Sequence, residues 1–234
     1  MCLRLLIINL ADYLYLPSMN IIEIELLSDN LTETEKFYRT VLGLQANSSI
    51  KDILYFEIGY TKLIFRKSND VNPVYHFAID VPNNRFMEAY HQIRRQVSII
   101  PLPDGEPIAD FTAWDAKSFY FFDNNGNIVE CITRYPNHTV AREPFSSVSF
   151  ISVSEIGMVT NDVPHLASRL YKEYGIPVYK RQSPADTFTV CGDDEGLFVL
   201  VAKGREWYPT KVRSQSFRPR VLFMNEGSIQ HIVR

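Results

Sequence analysis

Residues 118–133 read Ser-Phe-Tyr-Phe-Phe-Asp-Asn-Asn-Gly-Asn-Ile-Val-Glu-Cys-Ile-Thr. Two runs rich in aromatic and β-branched residues flank Asp123-Asn124-Asn125-Gly126-Asn127. Asn and Gly tolerate the positive φ of tight turns, so the stretch predicts a β-hairpin. Side chains alternate along a strand, which puts Ile128, Glu130 and Ile132 on one face. A carboxylate between two isoleucines is costly to bury unless a metal, an arginine or a set of donors balances its charge. Either this face lines a wet groove, or Glu130 serves a site.

The chain around this hairpin has 234 residues, room for one large or two modest domains. A hydrophobic content of 46% and a charged content of 22% are those of an ordinary globular protein. The net charge of −3 and the lack of a basic block give no attraction to nucleic acid or to an anionic membrane. Cys2, Cys131 and Cys191 are odd in number and far apart, so neither a disulfide framework nor a zinc knuckle is indicated, which fits a reducing cytoplasm. Residues 1–18 begin with an apolar run broken by Asp12. They lack a basic n-region and a cleavage site, and are too short and interrupted to span a bilayer. Met19 is the expected start of the folded chain.

From residue 20 the pattern repeats. Residues 20–27 predict a strand bearing Glu23 and Glu25. Asp29-Asn30 offers a helix cap, residues 31–42 an amphipathic helix, and Gly43 its stop. Three short strands follow at 44–48, 53–58 and 62–65, giving the order βαβββ. The same order returns with a strand at 74–81 carrying His76, a helix at 84–94, a strand at 97–101 and the hairpin. Residues 103–112 form a long loop suited to rim a pocket. After a linker (135–150), a third copy has a strand at 152–160 with Glu155, a helix from 162 to about 174, and strands at 178–180, 187–190 and 197–202. One more strand-like run occupies 219–224. Glu23, His76 and Glu155 align at equivalent positions, 53 and 79 residues apart, the mark of a duplicated supersecondary unit.

Three motifs carry a resemblance. Phe37-Tyr-Arg-Thr-Val-Leu-Gly-Leu44 is similar to a helix end FYxxVLGL. His76-Phe-Ala-Ile-Asp-Val81 is similar to a strand HxAFxV. The stretch 119–130 is similar to FxDPDGNxxE. Together they resemble the vicinal oxygen chelate superfamily, which includes the glyoxalases, bleomycin-resistance proteins and extradiol dioxygenases. The resemblance implies an α+β fold in which two βαβββ modules pair into an open, mixed-sheet barrel around a divalent metal, with a third partial copy C-terminal. The corresponding division is an extension at 1–18, paired modules at 19–134, a linker at 135–150 and a third module at 151–234.

The resemblance also implies that metal ligands come from first and fourth strands. Carried over, these are Glu23, His76 and Glu130, with Glu130 or Glu23 free to leave the metal as a catalytic base. Oxygen-rich ligation of this kind suits Mn²⁺, Fe²⁺ or Mg²⁺, with Zn²⁺ also allowed. The fourth strand of the third copy, Leu197-Phe-Val-Leu-Val201, offers no ligand, so that copy is expected to be structural or to form a homodimer surface. His91, His138, His165 and His231 read as surface residues, and Lys211, Arg213, Arg218 and Arg220 as a solvated basic segment. Two ligand-binding functions follow, beside a third reading as an interaction protein with the third module as its dimer surface. One is a metal-dependent enzyme of lyase, dioxygenase or transferase type acting on a small oxygen-rich substrate. The other is a metal-free drug- or metabolite-binding protein of the bleomycin-resistance kind.

Overall fold

A computed structural model of the chain describes residues 18–47, 51–71, 73–217 and 219–233. The expectation for residues 1–17 therefore lies outside the described residues. In chain order the first unit is β1 (Asn20–Ser28), α1 (Leu31–Leu42), β2 (Ala46–Asn47), β3 (Ile53–Ile58) and β4 (Thr61–Lys67). The second is β5 (His76–Asp80), α2 (Phe86–Ile93), β6 (Ile99–Ile100), β7 (Ala109–Phe111), β8 (Ala116–Phe122) and β9 (Ile128–Arg134). The third is β10 (Ser152–Thr160), α3 (Val163–Tyr174), β11 (Phe188–Gly192) and β12 (Leu197–Ala202), and a hairpin of β13 (Arg220–Asn225) and β14 (Ser228–Val233) completes the chain.

Local chemistry explains the helix ends. The Asn30 side chain accepts from the Glu33 N–H at 3.1 Å, satisfying a donor that α1 leaves unpaired. Helix α1 stops at Gly43, whose φ of +69° suits a residue without a Cβ and whose N–H donates to the Arg39 carbonyl. In α3, Asp162 caps the His165 N–H at 2.9 Å and Pro164 lies in the first turn, where its missing N–H costs nothing.

The strands form two mixed sheets and no closed barrel, one ordered β14-β13-β1-β4-β3-β2 and the other β11-β12-β10-β5-β9-β8-β6, with β7 attached to β8. Here the pairing differs from the expected grouping of residues 19–134. The second unit joins the third, because β5 runs antiparallel to β10 and parallel to β9. The first unit instead meets the C-terminal hairpin, through antiparallel β1 and β13. The strand-like run at 219–224 is thus half of a fourth, helix-less unit. It supplies β1 with the neighbour that β5 would have given, and an edge strand with unpaired backbone groups is satisfied by whichever strand reaches it.

One face of each sheet packs into a shared core. Ile24, Leu26 and Phe65 from one sheet meet Phe77, Phe119, Phe121 and Phe198 from the other, closed by Tyr38 of α1 and Leu166 of α3. The hairpin turn joins the halves. Asp123 is buried and its carboxylate accepts from the Asn125 and Asn127 backbone N–H groups (2.8 and 2.9 Å), the Asn127 side chain (2.8 Å) and the Tyr38 hydroxyl (2.9 Å). Tyr38 and Asp123, members of two separate sequence motifs, are therefore direct partners, which accounts for both residue types. Among the described residues no helix is long and apolar enough to cross a membrane.

Candidate metal centre and its cavity

The opposite face of the larger sheet carries the site. Parallel pairing sets His76 beside Ile128 and Ala78 beside Glu130, and antiparallel pairing sets Tyr120 beside Glu130. Partnered residues point to the same side, so His76, Tyr120 and Glu130 converge. Strand β10 adds Glu155, and a bulge decides that it does. Ser152 pairs with Asp80 and Val153 with Ile79, but Glu155 then pairs with Ala78, leaving Ser154 as the extra residue. Without that extra residue Glu155 would stand opposite Phe77 and face the core. The bulge turns it onto the face of His76.

Ligand atoms of His76, Glu130 and Glu155 all lie within 4.8 Å of one another, and all three side chains are buried. His76 Nδ1 lies 3.1 Å from the Ile128 carbonyl. A carbonyl only accepts, so Nδ1 carries the proton and the Nε2 lone pair is free. Nε2 is 3.5 Å from Glu130 Oε2. Burial holds His76 below the ordinary imidazole range, so this contact is an approach of two acceptors rather than an ion pair. The Tyr120 hydroxyl donates to Glu130 Oε1 at 2.9 Å and fixes that carboxylate.

Behind the three residues lies Arg134, fully buried. Its guanidinium donates to Asp80 (2.5 Å), to the Ser154 hydroxyl (3.0 Å) and to Glu155. Three buried carboxylates thus face one guanidinium, an excess of two negative charges when all are ionised. Burial pushes Glu130 and Glu155 up to about 7 and Asp80 to about 6, with Arg134 pulling all three back only in part. An imidazole lone pair and two carboxylates meeting at one point, with two charges to balance, fit a dication.

Of the residues expected from sequence, the structure brings together His76 and Glu130 and sets Glu23 apart. Glu23 lies on β1 in the other sheet, next to Lys62 and Leu222. Its carboxylate is 3.7 Å from Lys62 Nζ, and neighbouring Glu25 is held by Arg66. The cause is the strand pairing: β1 never borders β5. Glu155 occupies the place for which Glu23 was expected. Its alignment with His76 in the repeat was the available signal, together with the extra strand at 219–224, which supplies β1 with another neighbour. Arg134, closing β9, gave no signal in sequence. The four remaining histidines are exposed as expected.

A cavity of about 270 Å³ opens over the three residues. Its walls are mainly aromatic, from Phe111 and Trp114 in and after the long loop, Phe188 on β11, and Trp207 and Tyr208 after β12. Of the loop expected at 103–112, Phe111 lines the pocket, and it lies on β7. The apolar β12 contributes Val199 to the wall. Trp207 lies over His76 with ring centres 5.2 Å apart, and Tyr208 meets Tyr120 edge-on at 5.8 Å. Gly157 on β10 makes room for Trp207, since a Cβ there would lie 2.5 Å from the indole ring. Gly157→Ala is expected to cost about 1–3 kcal/mol, as overpacking does. It should also shift tryptophan emission by moving Trp207. Urea denaturation followed by fluorescence checks both, and an unchanged midpoint and spectrum would show that the indole yields freely.

No protein-family model and no curated protein matches the sequence. Solved structures do match. A candidate dioxygenase from Bacillus subtilis superposes with a TM-score of 0.59 over 93% of this chain and 85% of its own, at 14% identity. The chain has the vicinal oxygen chelate fold. A V278E variant of glyoxalase I from Zea mays agrees with a TM-score of 0.53 over 92% of both chains at 12% identity. Zea mays glyoxalase I itself gives 0.50 over 84% of this chain and 70% of its own, at 14% identity. At these identities the likeness is one of fold. Within the vicinal oxygen chelate fold, this chain places the His76, Glu130 and Glu155 cluster in the sheet made by its second and third units.

Proposed function

We propose that the protein is a divalent-metal-dependent enzyme acting on a small, oxygen-rich organic substrate held in the aromatic cavity. The observation that carries this reading is the buried convergence of His76, Glu130 and Glu155 at the cavity floor. His76 would ligate through Nε2, Glu130 through Oε2 and Glu155 through one carboxylate oxygen, while three protein ligands leave positions open to substrate. A dication there supplies Lewis-acid polarisation of substrate oxygens. In the metal-free chain burial holds Glu130 at about 7, so only when released from the metal would it take or give a proton near neutrality, with the Tyr120 hydroxyl holding its other oxygen. Trp207, buried against His76, covers the site on that side. Glu23 has no part in this reading.

The test is thermal melting of metal-free protein with and without Mn²⁺ at two pH values. Glu130 and Glu155 titrate at about 7 in the folded chain against an ordinary value of 4.5. The stability this lends is complete below the ordinary value and is lost as pH rises through about 7. His76 works in the opposite sense below its ordinary value, but two carboxylates outweigh one imidazole. Metal-free protein should therefore melt lower near pH 8 than near pH 5.5. Mn²⁺ at about a hundred times its dissociation constant should add about 2.7 kcal/mol. That is about 5–10 °C for a chain of this size. The gain should be larger near pH 8, where no protons must be displaced. If no gain appears with Mn²⁺, Fe²⁺, Zn²⁺ or Mg²⁺, the metal reading fails and a metal-free binding protein remains.

A further inference from the structure

The cavity has a floor and walls of very different chemistry from its rim. The floor is anionic, and the walls are flat rings. Among the described residues Arg205 is the one cationic side chain that lines it. Arg205 is exposed at the rim, with its guanidinium 4.7 Å from the centre of the Phe188 ring. A guanidinium stacked on a ring keeps its N–H edge open, the geometry that meets a carboxylate in two parallel bonds. Arg205 makes no ion pair among the described residues, whereas the adjacent Glu206 is taken by Lys211 at 3.1 Å. Its backbone is pinned, since the Arg205 N–H donates to the Ala202 carbonyl (3.1 Å) and the Ser214 N–H donates to the Arg205 carbonyl (2.8 Å). Of the other polar side chains that line the cavity, Gln182 is engaged with the Trp114 indole at 3.3 Å and with the Ser183 carbonyl. Trp207, buried in the wall, has an indole N–H with no partner. A buried donor left unmade is costly, so an acceptor is wanted there.

From these observations we infer that the cavity selects a planar aromatic anion, whose negative group is read by Arg205 at the end remote from His76, Glu130 and Glu155. This rests on reading the cavity as the substrate site, and it assigns Arg205 as the specificity-determining residue. Aromatic walls favour a ring, which they can meet face-on or edge-on, over a saturated molecule of equal volume. The charge pattern orients it, because an anionic group is repelled by the floor carboxylates and attracted at the rim.

Both tryptophans of the chain, Trp114 and Trp207, line the cavity, so tryptophan quenching reports on it directly. The probes are para-hydroxybenzoate, para-hydroxybenzamide and cyclohexanecarboxylate, titrated into metal-free and Mn²⁺-loaded protein, wild type and Arg205→Gln. The expected result is that wild type prefers the benzoate to the amide by about fivefold, the worth of one partly exposed ion pair. Arg205→Gln should lose that preference without changing affinity for the amide, and cyclohexanecarboxylate should bind more weakly than the benzoate. Equal affinities for benzoate and amide in wild type, a preference that survives Arg205→Gln, cyclohexanecarboxylate binding as well as the benzoate, or quenching by none of the probes would each overturn it. The metal-free arm separates the two ideas. Preference without metal binding leaves this inference standing and removes the enzyme reading, and metal binding without preference does the reverse.

Discussion

Titration of Mn²⁺ into the metal-free protein is expected to show one site per chain in calorimetry. His76→Ala, Glu130→Gln and Glu155→Gln should each weaken it by more than about a hundredfold, since even residues that merely orient ligands cost tenfold to a hundredfold. Glu23→Gln should leave the affinity unchanged. Glu23 and Glu155 are equivalent in the repeat, yet only Glu155 shares a face with His76 and Glu130, while Glu23 lies beside Lys62 in the other sheet. The amide variants keep volume and hydrogen-bonding shape while removing charge, so lost affinity reads the ligand role rather than a collapsed strand. Loss of binding in Glu23→Gln with Glu155→Gln unaffected would reverse the assignment. Equal binding by wild type and all four variants would remove the site altogether.

Arg134→Met is expected to give the largest stability loss of any single change discussed. Arg134 is fully buried and donates to Asp80, Ser154 and Glu155. Desolvating a guanidinium is costly, and here the cost is offset only because two buried carboxylates surround it. Removing the cation leaves both acids uncompensated, which costs about 3–5 kcal/mol. For a chain of this size that lowers the melting temperature by about 6–20 °C. Adding Asp80→Asn to Arg134→Met should recover part of the loss, because neighbouring charges do not act additively. Thermal and urea melts of the single and double variants check this. A loss below about 1 kcal/mol, or a double variant worse than the sum of the two singles, would show that the network carries little of the fold's stability.

The parts of the site legible in the sequence were those set by neighbours along the chain. The hairpin, the alternation of Ile128, Glu130 and Ile132, the helix starts at Asn30 and Asp162 and the stop at Gly43 all depend on a few consecutive residues. His76 followed from its place in the repeat. Trp207 and Arg205 did not, because the segment after β12 has no periodic pattern and its meaning lies in what it covers. The cue for Trp207 was Gly157, a glycine inside a strand, which marks a close approach from elsewhere in the chain.

By itself, then, the amino-acid sequence determined the repeated strand–helix–strand order, short of the strand expected at 178–180, where only Val178 bridges to Cys191, and the identity of two of the three converging residues. Periodicity, capping and turn chemistry act over a few residues and need no knowledge of the rest. Only the tertiary structure decided which repeats share a sheet, and with it the third residue. Strand pairing joins segments far apart in sequence, and the β13–β14 hairpin competes for the edge of β1 that β5 would otherwise take. The last decision was smaller still. One extra residue at Ser154 shifts the register between β10 and β5, and because side chains alternate with period two, that shift alone turns Glu155 from the core to the site.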